Sequence, residues 1–221
     1  MHLDFSHVWQ AAPFILKGAV ATIELSVVSF LFALVIAYVV GTARARRLPP
    51  ALDLLLRGYL ALFRGTPLLV QLFLIYYGLP QVGITLNAWV AATLGLALNS
   101  GAYMSEIVRA SLLAVDPGQV DAAYALGYTR WQTLTHVIFK QATRVAIPPL
   151  TNSLASLLKE SSLVSVLAIT ELTRAGNVIY SRTMAPFEIY LTIAFLYLLM
   201  TTVVTVIAKR LEKRTGTWAA S

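Results

Sequence analysis

The sequence predicts an all-α integral membrane protein of about five transmembrane helices, forming one domain over residues 1–221. Three observations predict it. Apolar residues make up 58% of the chain and charged residues 12%, against about 45–50% and about 25% in soluble domains. The apolar residues gather in runs long enough for a hydrocarbon core of about 30 Å, which needs roughly 20 residues of helix. The cations behind the formal net charge of +7 fall in short segments between those runs. Membrane orientation produces that distribution, whereas a nucleic-acid surface requires a basic stripe. A mean hydropathy of +0.73 agrees. The lack of cysteine excludes a disulfide framework and thiolate metal sites. His2, His7 and His136 have no metal-like spacing.

Five segments qualify as spans. The first covers residues 18–43 and is interrupted only by Glu24 near its start. The chain before it lacks the basic n-region and small-residue cleavage site of a secretory signal, so this run is read as a retained helix. The second lies within residues 52–79, where Arg57 and Arg64 interrupt the half before Pro67. The third covers about 86–108 and ends in Glu106 and Arg109. The fourth covers about 147–170, with Lys159 and Glu160 in its middle. The fifth, 188–208, is the cleanest.

The cations set the expected orientation. One side holds Arg44, Arg46, Arg47 and Arg57, then Arg109, Arg130, Lys140 and Arg144, then Lys209, Arg210, Lys213 and Arg214 in the tail. The other side holds Lys17, Arg174 and Arg182. Cations accumulate in the cytoplasm, so the N-terminus is expected outside and the C-terminus in the cytoplasm, which five spans satisfy.

Between the third and fourth spans lies a long polar stretch, about residues 113–146, expected on the cytoplasmic face. Asp116-Pro117-Gly118 is a turn signal, and the run from Asp121 to Leu126 is good helix sequence. Gly127 is expected to end that helix as a left-handed residue. Thr129 is expected to cap a second helix, with Trp131, Leu134, Val137 and Ile138 on one face. Pro148 and Pro149 are expected to punctuate the start of the fourth span. The small residues Ala122, Ala123 and Ala125 permit close approach, either by a partner or by the protein's own bundle.

The stretch "DAAYALG", followed by Ile138, resembles the cytoplasmic signature of ABC-importer permeases. So do "FRGTPLLVQLFLIYYGLP" (63–80), "LNSGAYMSEIVRASLLAVDPGQVDAAYALGYT" (98–129) and "LLKESSLVSVLAITEL" (157–172), which resemble the polar amino acid uptake branch. Several long motifs in the right order over nearly the whole chain make a specific signal. The resemblance implies a type I ABC-importer permease bundle in a bacterial inner membrane. It also implies that Asp121, Ala122, Ala123 and Gly127 form a coupling helix docking into an ABC ATPase. Two departures stand out: Asp121 replaces the family's usual Glu, and Phe139-Lys140 replaces the usual Leu-Pro, which bears on the geometry of the second loop helix. No G-x-x-x-x-G-K-[ST] occurs, so this chain is expected to carry no cofactor and to be no enzyme. ATP and magnesium then belong to a separate ATPase pair. Five helices are few to enclose a solute, so a second permease, identical or related, is expected at a roughly two-fold interface. The resemblance adds an extracytoplasmic solute-binding protein.

Ionisable residues at mid-span cost about 2.5–3.5 kcal/mol each on insertion scales, so they face a partner or a cavity. Glu160 with Ser161 and Ser162 is a candidate for the amino or side-chain end of an amino acid. The bland alternative is an ion pair between Lys159 and a carboxylate of another helix. Neighbouring positions point about 100° apart on a helix, so Lys159 and Glu160 do not pair cleanly with each other. In "FRGTPLLVQ", Gly65 and Pro67 loosen the helix, and broken helices can offer freed backbone groups to a ligand. Thr66 and Gln71 are therefore substrate-binding candidates; Arg64 could neutralise a substrate carboxylate but is expected instead to snorkel to the interface. Asn99 and Tyr103 share a helical face and are expected to line the pathway, with Gly101 allowing close helix contact. Glu106 and Arg109 are expected to pair structurally, and Glu24 is expected to be structural. No carboxylate pair or nucleophile–base motif points to catalysis. The resulting expectation is an ATP-driven permease for polar amino acids. The alternative is an ion-coupled secondary transporter, in which Lys159, Glu160 and Glu106 would serve a proton or sodium route.

Overall fold

The structure, a computed structural model, describes residues 4–215, with side chains to residue 210. His2 and the side chains of Lys213 and Arg214 lie outside the described residues. Those residues form helices and connecting turns, with no strand among them. Helix α1, Ser6–Arg44, is the first expected span extended at its N-terminal end. Its small buried positions Ala33 and Ala37 pack with Met104 and Val108 of the central helix α4, Ala88–Leu113. Gly101 makes that approach possible: a Cβ there would sit 2.8 Å from Ile36 Cγ2 on α1.

The second expected span is broken. Helix α2, Pro50–Gly65, stops where Thr66 turns extended (φ −123°, ψ 150°), because the residue before a proline is pushed away from helical geometry. Helix α3, Leu68–Phe73, starts after Pro67, bent 109° from α2. It widens into a π-helical turn at Leu74–Gly78 and tightens into a 3-10 turn at Leu79–Val82.

After α4 comes α5, Pro117–Ala125. The turn signal at Asp116 is its N-cap, with the Gly118 N–H donating to Asp116 Oδ1 at 2.6 Å. Gly127 takes the left-handed conformation, φ +79°. Thr129 caps the next helix in a reciprocal box: the Gln132 N–H donates to Thr129 Oγ1 at 3.3 Å, and the Thr129 N–H to Gln132 Oε1 at 2.8 Å.

Three expectations fail beyond this cap. The second loop helix is not a separate element. Helix α6, Arg130–Gln132, passes through a π turn at Thr133–Ile138 into α7, Phe139–Glu160, without a break. Pro148 and Pro149 lie inside α7 rather than at its start; hydroxyls of Thr151 and Ser153 donate to their carbonyls at 2.8 and 3.0 Å. The expected single face also splits. Trp131 is 70% exposed, while Thr133 is buried and Leu134, Val137 and Ile138 are half-buried, because the wider π turn shifts the helical register.

A 3-10 stretch, Ser161–Leu167, follows α7. Helices α8, Leu172–Thr183, and α9, Pro186–Thr215, complete the fold. Ala33, Met104, Val108, Ala142 and Ala146 form one core where α1, α4 and α7 meet. Leu25, Leu72, Leu96 and Val164 form a second. A third, including Ile15, Leu172, Ile179 and Ile189, ties α8 to α1 and α9. Large apolar side chains stay exposed along α1 and α9 (Leu31, Phe32, Val35, Phe195, Leu198), as lipid-facing helices require.

Among the described residues, length and hydropathy qualify α1 and α9 as membrane-crossing helices, and counting each of two bent pairs as one span gives up to four. Helix α4, the core of the expected third span, falls outside that set because Asn99, Ser100, Tyr103, Ser105 and Glu106 dilute its apolar run.

Candidate functional site

The break between α2 and α3 releases backbone carbonyls, and the protein takes them back. Gln71 Nε2 donates to the Phe63 carbonyl at 3.0 Å, the Thr66 carbonyl at 3.0 Å and Thr66 Oγ1 at 2.9 Å. Asn99 Nδ2 donates to the Phe63 carbonyl at 3.0 Å and to Gln71 Oε1 at 2.9 Å. Thr66 Oγ1 itself donates to the Leu62 carbonyl at 2.7 Å. Gln71 and Asn99 are buried. The arrangement is a staple that holds a sharp bend without orphaned polar groups. Thr66 and Gln71 therefore spend their hydrogen-bonding capacity on the break, a cost of bending that sequence reasoning did not count.

Beside the staple, between α4 and α7, lies a cleft of about 420 Å³. Asn99 and Tyr103 reach it from α4, and Glu160 from the end of α7. The structure thus brings together three of the sequence candidates, from two helices far apart in the chain, and adds Ser100, Asn152, Ser153 and Ser156. Asn152 and Ser156 are exposed and Glu160 is half-buried; none of the three has a hydrogen-bond partner among the described residues. A carboxylate with amide and hydroxyl groups around it, in an otherwise apolar bundle, is suited to a solute bearing N–H donors. Pro149, Asn152, Ser153, Ser156 and Glu160 recur at helical spacing, so this polar stripe was legible from periodicity.

Ser161 and Ser162 do not line the cleft. Their hydroxyls donate to the carbonyls of Leu158 and Lys159 at 2.8 and 2.7 Å, closing the end of α7. Lys159 is exposed and makes no ion pair among the described residues. Glu24 is exposed as well, with no partner among them. Glu106 and Arg109 do pair, at 2.8 Å through Arg109 Nε, and Arg44 Nη1 joins the same carboxylate at 3.0 Å.

One buried carboxylate escaped sequence reasoning. Glu171 is fully buried at the N-terminus of α8. It accepts from the Arg174 N–H at 2.6 Å, the Thr173 N–H at 2.9 Å and the Tyr197 hydroxyl at 2.9 Å. It thereby rivets α8 to α9 as a charged N-cap. Glutamate is not among the favoured N-cap residues, so the signal was weak.

At the far end of α4, the α5 elbow exposes Asp121, Ala122 and Gly127. Tyr124 (46% exposed), Leu126 (79%) and Trp131 (70%) surround them. Ala123 is the exception, buried against its own chain. So large an apolar cluster on a polar turn marks a contact surface.

The family described as "Binding-protein-dependent transport system inner membrane component" matches residues 33–217. The chain is 39% identical over 209 residues to the L-cystine transport system permease protein TcyB of Bacillus subtilis, covering 94% of this chain and 89% of that one. It is 36% identical over 216 residues to the glutamine transport system permease protein GlnP of Escherichia coli K12, covering 97% and 98%. Its fold superposes on a chain from the crystal structure of an amino acid ABC transporter with histidines. That match has a TM-score of 0.89 and 37% identity, covering 97% of this chain and 100% of the other. With the family model matching most of its length, the chain belongs to the family of binding-protein-dependent transport system inner membrane components.

Proposed function

We propose that the chain is the permease subunit of an ATP-driven ABC importer that moves a polar amino acid across the inner membrane by alternating access. Its N-terminus faces outward and its C-terminus the cytoplasm. The observation that carries this reading is the α4–α7 cleft: a carboxylate, Glu160, with no hydrogen bond or ion pair among the described residues, opposite Asn99 and Tyr103 inside an apolar bundle. Burying such groups is costly without a ligand or partner, and an amino acid supplies the matching N–H donors. The relatives named for cystine and glutamine support the substrate class.

In this reading the substrate-facing set is Asn99, Tyr103 and Glu160, with Asn152 and Ser156. Thr66 and Gln71 shape the pathway by holding its bend, and Ser161 and Ser162 close α7. The motor is a separate pair of ABC ATPase subunits that binds ATP and magnesium. It docks on the α5 elbow within residues 113–146, meeting Asp121, Ala122 and Gly127, while Ala123 seats the helix. A second permease completes the pathway, and an extracytoplasmic binding protein delivers the solute. Closure of the ATPase pair moves the elbow, and the continuous helix from Arg130 to Glu160 carries that movement to the cleft.

Uptake of twenty labelled L-amino acids into proteoliposomes holding the full complex tests the reading. Uptake should require ATP, survive an ionophore and fall at least tenfold in Glu160→Gln. Uptake that continues without ATP but collapses with the ionophore would instead establish the ion-coupled alternative.

A further inference from the structure

A second cleft adjoins the first, and its charge is opposite. It has a volume of about 560 Å³ and is lined by Arg44, Arg57, Arg64, Tyr103 and Glu106 among others. Tyr103 lines both clefts, so a solute leaving Glu160 past Tyr103 meets the arginines next.

The ion pairs in and around this cleft leave a positive surplus. Arg44 and Arg109 share the single carboxylate of Glu106. Arg57 pairs with Asp53 at 2.8 Å. Arg64 has no carboxylate partner among the described residues; its guanidinium lies 5.5 Å from the centre of the Tyr103 ring. The Tyr103 hydroxyl donates to the Arg64 carbonyl at 3.3 Å, tying ring and arginine together. Four guanidiniums (Arg44, Arg57, Arg64, Arg109) thus face two carboxylates (Asp53, Glu106). In addition, Arg44 Nε is buried with no acceptor. A planar guanidinium held over an aromatic ring presents its fork of N–H donors to a carboxylate.

We propose that this cleft is a carboxylate subsite: Arg64, backed by Arg44 and Arg57, takes the α-carboxylate of the transported amino acid, while the adjoining Glu160 cleft takes its ammonium end. The assignment rests on the permease reading above. It follows that the substrate is a zwitterion whose two charges are read where the clefts join at Tyr103. A cationic solute without a carboxylate meets repulsion from the surplus positive charge.

The test uses the permease–ATPase complex in lipid nanodiscs, without binding protein or nucleotide. Equilibrium binding of twenty labelled L-amino acids is followed by competition with the α-amide of whichever binds best. The amide should compete roughly tenfold to a hundredfold more weakly, the worth of a charge-assisted hydrogen bond. Arg64→Gln should remove most of that discrimination, and Arg64→Lys should keep part of it. Arg57→Gln should weaken it less. Glu160→Gln should lower affinity yet preserve the preference for acid over amide. Unchanged discrimination in an Arg64→Gln complex of normal subunit composition would overturn the subsite. So would an Arg64 effect that vanishes when phosphatidylglycerol is replaced by phosphatidylcholine, since the arginines would then serve lipid headgroups. If no amino acid binds the wild-type nanodisc complex while proteoliposome uptake persists, the subsite fails and the permease reading stands. Loss of both removes the reading itself.

Discussion

Replacing Gln71 with leucine separates a structural staple from a ligand site. Gln71 Nε2 supplies the Thr66 carbonyl with its donor at 3.0 Å, and Gln71 Oε1 accepts from Asn99 Nδ2 at 2.9 Å. Phe63 keeps a donor from Asn99 at 3.0 Å. Gln71→Leu preserves most of the side-chain volume but orphans one N–H of the buried Asn99 and the carbonyl of Thr66, an exposed residue. The buried Asn99 N–H carries most of the cost, about 1–3 kcal/mol. The assay is reversible unfolding of the purified chain in mixed micelles, titrated with sodium dodecyl sulfate and read by tryptophan fluorescence. Glu160→Gln serves as the control. Glu160 makes no hydrogen bond or ion pair among the described residues and its burial is unfavourable, so Glu160→Gln should leave stability unchanged or raise it. A Gln71→Leu protein that unfolds with the wild type, while Glu160→Gln unfolds early, would reverse the roles and refute the staple.

Other expectations follow from particular contacts. Gly127 sits at φ +79° with open space where a Cβ would go, so Gly127→Ala pays only backbone strain, about 1–2 kcal/mol. That loss should appear as weaker recovery of the ATPase when the permease is isolated by affinity tag, with Gly127→Asn retaining more than Gly127→Ala. Glu171→Ala removes the charged cap of α8 and its link to Tyr197, and should destabilise by about 2–4 kcal/mol in the same unfolding titration; Glu171→Gln should recover part of that. Gly101→Val forces a Cβ to within 2.8 Å of Ile36. It should cost about 1–3 kcal/mol by separating α1 from α4, measured as reduced yield of folded protein.

The apolar runs, the cations between them and the Gly and Pro punctuation depend on local chemistry, and the sequence by itself determined an all-helical membrane bundle. The left-handed turn at Gly127 and the cap at Thr129 were legible for the same reason: each is decided within four residues of chain. Asn99, Tyr103 and Glu160 stood out because a polar residue in an apolar helix must be paired or face a cavity. What they pair with is a different matter. Gln71 and Asn99 are 28 positions apart, and only the packing of α3 on α4 joins them in one staple. The continuity of α7 through Pro148 and Pro149 was equally hidden, since local propensity argues for a break and tertiary burial of Ala142, Ala146 and Leu150 outweighs it. The charge contrast across Tyr103 depends on α1, α2, α4 and α7 meeting, because a cleft belongs to the space between helices and its charge is the sum of side chains that the chain order keeps far apart.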